Sequence, residues 1–158
     1  MSMIGRFLAV PQSELDALRA APGKITELLF DTRYDDALRV EKAWHGIHYL
    51  LTGTVAAGKW PLANVIFGRT PIGEEDLGYG PALGTDAADV PAISAALEAI
   101  TDTELRARFD PDSMDEIYPN IWDEGDEALD YLIEHLQNLR GFYRDAAANA
   151  HAVITWLG

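Results

Sequence analysis

Eight apolar side chains recur at helical spacing late in the chain: Leu129, Leu132, Ile133, Leu136, Leu139, Tyr143, Ala146 and Ala150. Residues three and four apart share one face of a helix, so 127–150 reads as a single long amphipathic helix. Most of the stability of such a helix comes from packing its stripe, so a matching apolar surface must exist elsewhere in the chain. Residues 152–157 follow at once. They form an apolar run of strand length, rich in β-branched and aromatic side chains, and read as a buried strand. A second apolar run, 3–10, ends at Pro11 at the other end of the chain. A long one-sided helix beside two buried strands calls for a sheet with helices laid on it.

The segments between fill in that picture. Ser13 is placed to cap a short helix with Leu15 and Leu18 inward, and Pro22 and Gly23 end it. Residues 25–30 predict another short helix. Residues 41–52 predict a helix flanked and lined by Val40, Ala43, Trp44, Ile47, Leu50 and Leu51, with Gly53 suited to the position just past its end. Residues 77–83 are a strand candidate weakened by glycines and Pro81. Residues 90–100 predict a helix with Ile93, Leu97 and Ile100 inward, and 104–109 a further turn or two. The expectation is one helix-rich α/β domain over 1–158, a small sandwich of helices packed on a small sheet. An all-α fold is the alternative if the glycine-rich strand fails.

Charge narrows the function classes. The 158 residues carry 26 acidic and 12 basic side chains, a formal net charge of −14. A nucleic-acid phosphate backbone or an anionic lipid surface would meet a like-charged field, so neither is an expected partner. No run approaches 18 apolar residues and no leader with a 7–15-residue apolar stretch opens the chain, so a soluble cytoplasmic protein is expected. Cysteine is absent, which removes disulfides, thiolate nucleophiles and cysteine-ligated zinc. No cofactor is expected.

Several motifs fail on their chemistry. Gly53 to Lys59 nearly spells a phosphate-binding loop, but Trp60 stands where a magnesium-ligating hydroxyl belongs, and the segment follows a helix rather than a strand. Gly78-Tyr-Gly80-Pro-Ala-Leu-Gly84 is one residue too long for a dinucleotide fingerprint, and Pro81 removes a backbone donor. Glu41, His45 and His48 lie near one helix face and have ligating chemistry, yet the paired-histidine spacing of a zinc protease is missing; no metal site is expected. The acidic stretch from Asp110 lacks the glycine and terminal glutamate of a calcium loop. Ser2, Ser13, Ser94 and Ser113 sit in no nucleophile turn, so no catalytic residue is assigned.

The charge is uneven. Residues 1–79 hold 8 basic and 10 acidic side chains, and residues 80–158 hold 4 and 16, so −12 of the −14 lies in the second half. Ten acids fall between Arg108 and Arg140 with no basic residue among them: Asp110, Asp112, Asp115, Glu116, Asp123, Glu124, Asp126, Glu127, Asp130 and Glu134. They flank an aromatic knot, Ile117 to Trp122. Acids steer a basic protein and aromatic residues anchor it, so this region is the expected docking surface for a basic protein partner.

The chain also resembles the YfbM-like family of uncharacterised bacterial proteins over nearly its whole length. The resemblance rests on Met3-Ile-Gly5, Trp44-His-Gly-Ile-His48-Tyr-Leu-Leu-Thr52-Gly53, Pro61-Leu62, Ile66-Phe-Gly68, Gly78-Tyr-Gly80-Pro-Ala82, Ile117-Tyr-Pro119 with Trp122, and Phe142-Tyr-Arg-Asp-Ala146. It implies a three-layer α/β sandwich and carries no catalytic residues. His48, Tyr79, Tyr118 and Trp122 all fall on these segments. A pocket lined by those four is the candidate small-molecule site, since a histidine and polar-tipped aromatics are usual specificity groups. The leading expectation is a binding domain for a basic protein, immunity- or antitoxin-like in its concrete form. A small-molecule-binding protein or enzyme using the His48 and Tyr79 region is the alternative.

Overall fold

Apolar runs that do not alternate with polar residues need cover on both faces, and the two end strands receive it. The computed structural model describes residues 2–158. The elements run β1 (Gly5–Pro11), α1 (Gln12–Ala20), α2 (Ile25–Glu27), β2 (Leu38–Arg39), α3 (Trp44–Thr52) and α4 (Asn64–Phe67). They continue with β3 (Thr70–Pro71), β4 (Leu83–Thr85), α5 (Val90–Ala99), α6 (Asp102–Arg108), α7 (Asp126–Ala148) and β5 (His151–Leu157). The sheet order is β2-β1-β5-β4-β3 and every pairing is antiparallel. The terminal strands are neighbours at its centre, paired from Gly5 opposite Leu157 to Pro11 opposite His151.

The period-two geometry of these strands divides the core. Phe7 and Val153 point to one face, where α3, α5 and α7 supply Ile47, Leu97, Leu132 and Leu136. Leu8, Val10, Ile154 and Trp156 point to the other, where Leu15 and Leu18 of α1 join Ile25 and Leu29. The result is the expected α/β sandwich with helices on both faces of the sheet. Three side chains of α7 and its neighbours lock the larger layer. Fully buried Tyr143 donates its hydroxyl to the Val65 carbonyl at 2.6 Å. Arg140 donates to the Leu97 and Ile100 carbonyls and pairs with Asp102, joining α7 to the α5–α6 junction.

Several boundaries differ from expectation. The strand expected at 77–83 begins only at Leu83. Before it, the Asp76 carboxylate accepts from the Gly78 and Gly80 amides at 2.8 Å each, and Leu77 N–H closes onto Gly80 O. Gly78 and Gly80 have φ of 128° and 100°, a turn that side chains resist. Helix α1 starts at Gln12 with Pro11 before it and no side-chain cap, so Ser13 does not cap it. Residues Glu41–Ala43 form a tighter 3₁₀ turn ahead of α3. Gly53 does end α3, with φ of 75°. Ala150 leaves the stripe of α7: its φ is 53°, in the turn into β5.

Candidate functional site

A histidine amid apolar neighbours must place its ring nitrogens or lose their hydration for nothing. His45 and His48, three apart on α3, do so by holding the loop that follows the helix. His45 Nε2 lies 2.8 Å from Val55 O, and His48 Nε2 lies 3.0 Å from Ala57 O. Carbonyls only accept, so both Nε2 atoms carry the proton. His45 Nδ1 accepts from the Tyr118 amide at 3.0 Å, which completes the ring. His48 is fully buried, and its Nδ1 has no hydrogen-bond partner among the described residues. Burial lowers the imidazole pKa of both, opposed by the bonds to Val55 and Ala57. Glu41, the third member of the ligating trio, pairs instead with Arg39. Among the described residues no cluster of three or more His, Asp or Glu side chains is arranged to hold a metal ion.

The four residues expected to line one pocket are placed apart. Trp122 is 1% exposed, donates Nε1 to Ile117 O at 2.8 Å and packs beside Gly46 of α3. Tyr118 stacks on Trp44, and its hydroxyl accepts from the Met3 amide. Its histidine neighbour is His45, not the preferred His48. Tyr79 lines a small cavity of about 120 Å³ with Phe67, Pro81 and Thr155, without His48, Tyr118 or Trp122. His48 does not line that cavity; its ring meets that of Phe67, which does, edge-on with centres 4.7 Å apart. The expected pocket is therefore not assembled, because two of its four members are in the core.

The acidic stretch behaves differently. All ten of its carboxylates are exposed. Among the described residues Asp130 alone is ion-paired, with Arg106 at 3.2 Å. The knot they flank is not exposed with them. Ile117 and Trp122 are buried, so this surface presents charge without the aromatic anchors expected there.

A larger concavity lies where no motif pointed. A cleft of about 640 Å³ opens between the 51–62 segment, the end of α5 and helix α6. The rejected phosphate-loop look-alike forms one wall, and His45 and His48 hold that wall from behind. Trp60, whose lack of a hydroxyl disqualified the motif, lines the cleft at 38% exposure. Three distant segments build this site, so no local pattern announces it. The signal available in sequence was a glycine-bounded loop ending in an aromatic residue.

The family profile described as Domain of unknown function (DUF1877) matches residues 1–156. The chain belongs to the DUF1877 family. A solved structure, a protein of unknown function YfbM from Escherichia coli, shares 24% sequence identity with it. The match covers 99% of this chain and 100% of that one with a TM-score of 0.81, so the DUF1877 fold described above is common to both. No curated protein matches. The resemblance expected from the short motifs is thus borne out for family and fold.

Proposed function

We propose that this DUF1877 domain binds a basic protein through the exposed face of residues 110–134. The observation that supports this is the segregation of ion pairs. Among the described residues, seven of the sixteen acids outside that stretch pair with a Lys or Arg, against one of ten within it. Among the described residues six of the twelve cations pair with acids outside the face and only Arg106 pairs within it, so the face keeps its field. Because Trp122 and Ile117 lie inward, the contact is led by electrostatics. Such a contact gains association rate and selectivity more than affinity, and it weakens steeply with salt.

The test holds net charge constant. Asp112, Asp115 and Glu116 are changed to Lys in one variant, and exposed Glu27, Glu74 and Glu75 in a control. Both are immobilised and exposed to native lysate at low ionic strength. A cationic protein retained by the native chain and the control, lost from the face variant and eluted by salt, is the expected result. Equal loss from both variants would mean that binding follows bulk charge, and equal retention that the face is not the site; either would sink the proposal.

A further inference from the structure

The chain has more than two acids for every base, yet not every cation among the described residues is ion-paired. Among the described residues seven of its twelve basic side chains hold ion pairs. Two that do not, Lys59 and Arg108, face the same 640 Å³ cleft. Arg108 is fixed by donating Nη1 to the Leu50 and Leu51 carbonyls at the end of α3, at 2.9 and 3.0 Å. Its Nε and Nη2 edge has no protein acceptor among the described residues. Glu104 stands four residues before it on α6, the spacing of a helical ion pair. Glu104 turns away: it accepts from the Thr101 amide at 2.8 Å in a capping box, while Thr101 Oγ1 accepts from its own amide. The one carboxylate lining the cleft is thereby committed to starting a helix, and the guanidinium edge stays open.

The rest of the cleft is apolar. Leu51 and Ile100 are buried at its floor and Leu62 is half-buried. The Arg69 guanidinium covers one face of the Trp60 indole at 4.1 Å from the ring centre. The volume falls in the range of small-molecule sites, roughly 300–1,000 Å³. A cation with a free bidentate edge recognises a planar carboxylate, and an apolar floor recognises a hydrocarbon chain.

We propose that this cleft binds a small amphipathic carboxylate, its head on Arg108 and Lys59 and its apolar part along Leu51, Leu62 and Ile100 beside Trp60. The site is separate from the acidic face and does not depend on the partner-binding reading. Octanoate is the probe. Octanol and octylammonium keep its chain and change its head, and acetate keeps its head without the chain. Titration followed by amide NMR shifts and calorimetry gives both location and affinity. Saturable shifts confined to 51–62 and 96–108 are expected with octanoate, and binding at least about tenfold weaker for the other three. Lys59→Ala and Arg108→Ala each weaken octanoate by about tenfold. Arg108→Ala also frees the end of α3, so Lys59→Ala, on an exposed loop, is the variant that isolates charge from folding. Octanol binding as tightly as octanoate, an unchanged affinity in Lys59→Ala, or no saturation below about 10 mM overturns the proposal.

Discussion

At the scale of single residues, the two histidines of α3 show how a side chain can be legible in kind and not in role. Their spacing suggested ligands or a half-buried ring. What decides their role is the position of two carbonyls, ten residues after His45 and nine after His48, and only folding sets that. Their burial has a pH consequence. His45, His48 and His135 all have pKa values lowered by desolvation from 6.5. The unfolded chain therefore takes up protons near pH 6.5 that the folded chain takes up only at lower pH. Stability is complete above that value and falls as pH drops through it towards the folded values. The slope for one proton is at most about 1.4 kcal/mol per pH unit. Asp76 and Asp86 act in the same sense, but their pKa values lie below 3.8, so they do not contribute in this window. Urea midpoints should decline between pH 7.5 and 5.5, and His48→Gln, which can still donate to Ala57 O, should show a shallower decline. A flat native profile, or an unchanged slope in His48→Gln, would count against the buried neutral imidazole.

At the scale of elements, legibility followed length. The stripe of α7 and the apolar run of β5 repeat their period often enough to be read directly. Strands β2 and β3 have two residues each and show no period at all. The misplaced strand at 77–83 shows a third cause. Its composition allowed a strand, but the Asp76 carboxylate captures two amides that a ladder would have used. The packing of α3 on α7 was equally hidden. A Cβ on Gly46 would lie 2.6 Å from Leu132 Cδ2 and 2.7 Å from Trp122 Cη2. Two effects compete in Gly46→Ala. Helix propensity favours alanine by about 1 kcal/mol. Overpacking a core costs about 1–3 kcal/mol, and both neighbours here are themselves buried. The clash wins, so Gly46→Ala should lower stability by up to about 2 kcal/mol in urea unfolding. A stabilised variant would mean that α3 and α7 sit farther apart than described.

At the scale of the whole molecule, net charge was visible from the start and its arrangement was not. The count placed −12 in the second half. Folding added that the seven ion pairs of the remaining acids leave the 110–134 face almost unneutralised, and that Lys59 and Arg108 are left over at a cleft. Such a face repels itself, and that repulsion is screened over a Debye length of about 8 Å at physiological salt. Keeping it therefore costs stability, and the cost is removable. Changing Asp112 and Asp115 to Asn and Glu116 to Gln lowers the charge without altering shape. The triple variant should melt roughly 1–3 °C higher than the native chain at low ionic strength, as a change below about 1 kcal/mol produces in a domain of this size. The gain should shrink as salt rises, because screening already supplies the same relief to the native protein. The same variant should bind the cationic partner more weakly, since it removes the field that steers association. A face held for binding against a stability cost makes these two changes opposite in sign. If the variant melts no higher at low salt, the carboxylates are too far apart to repel, and the focused field on which the docking proposal rests is absent.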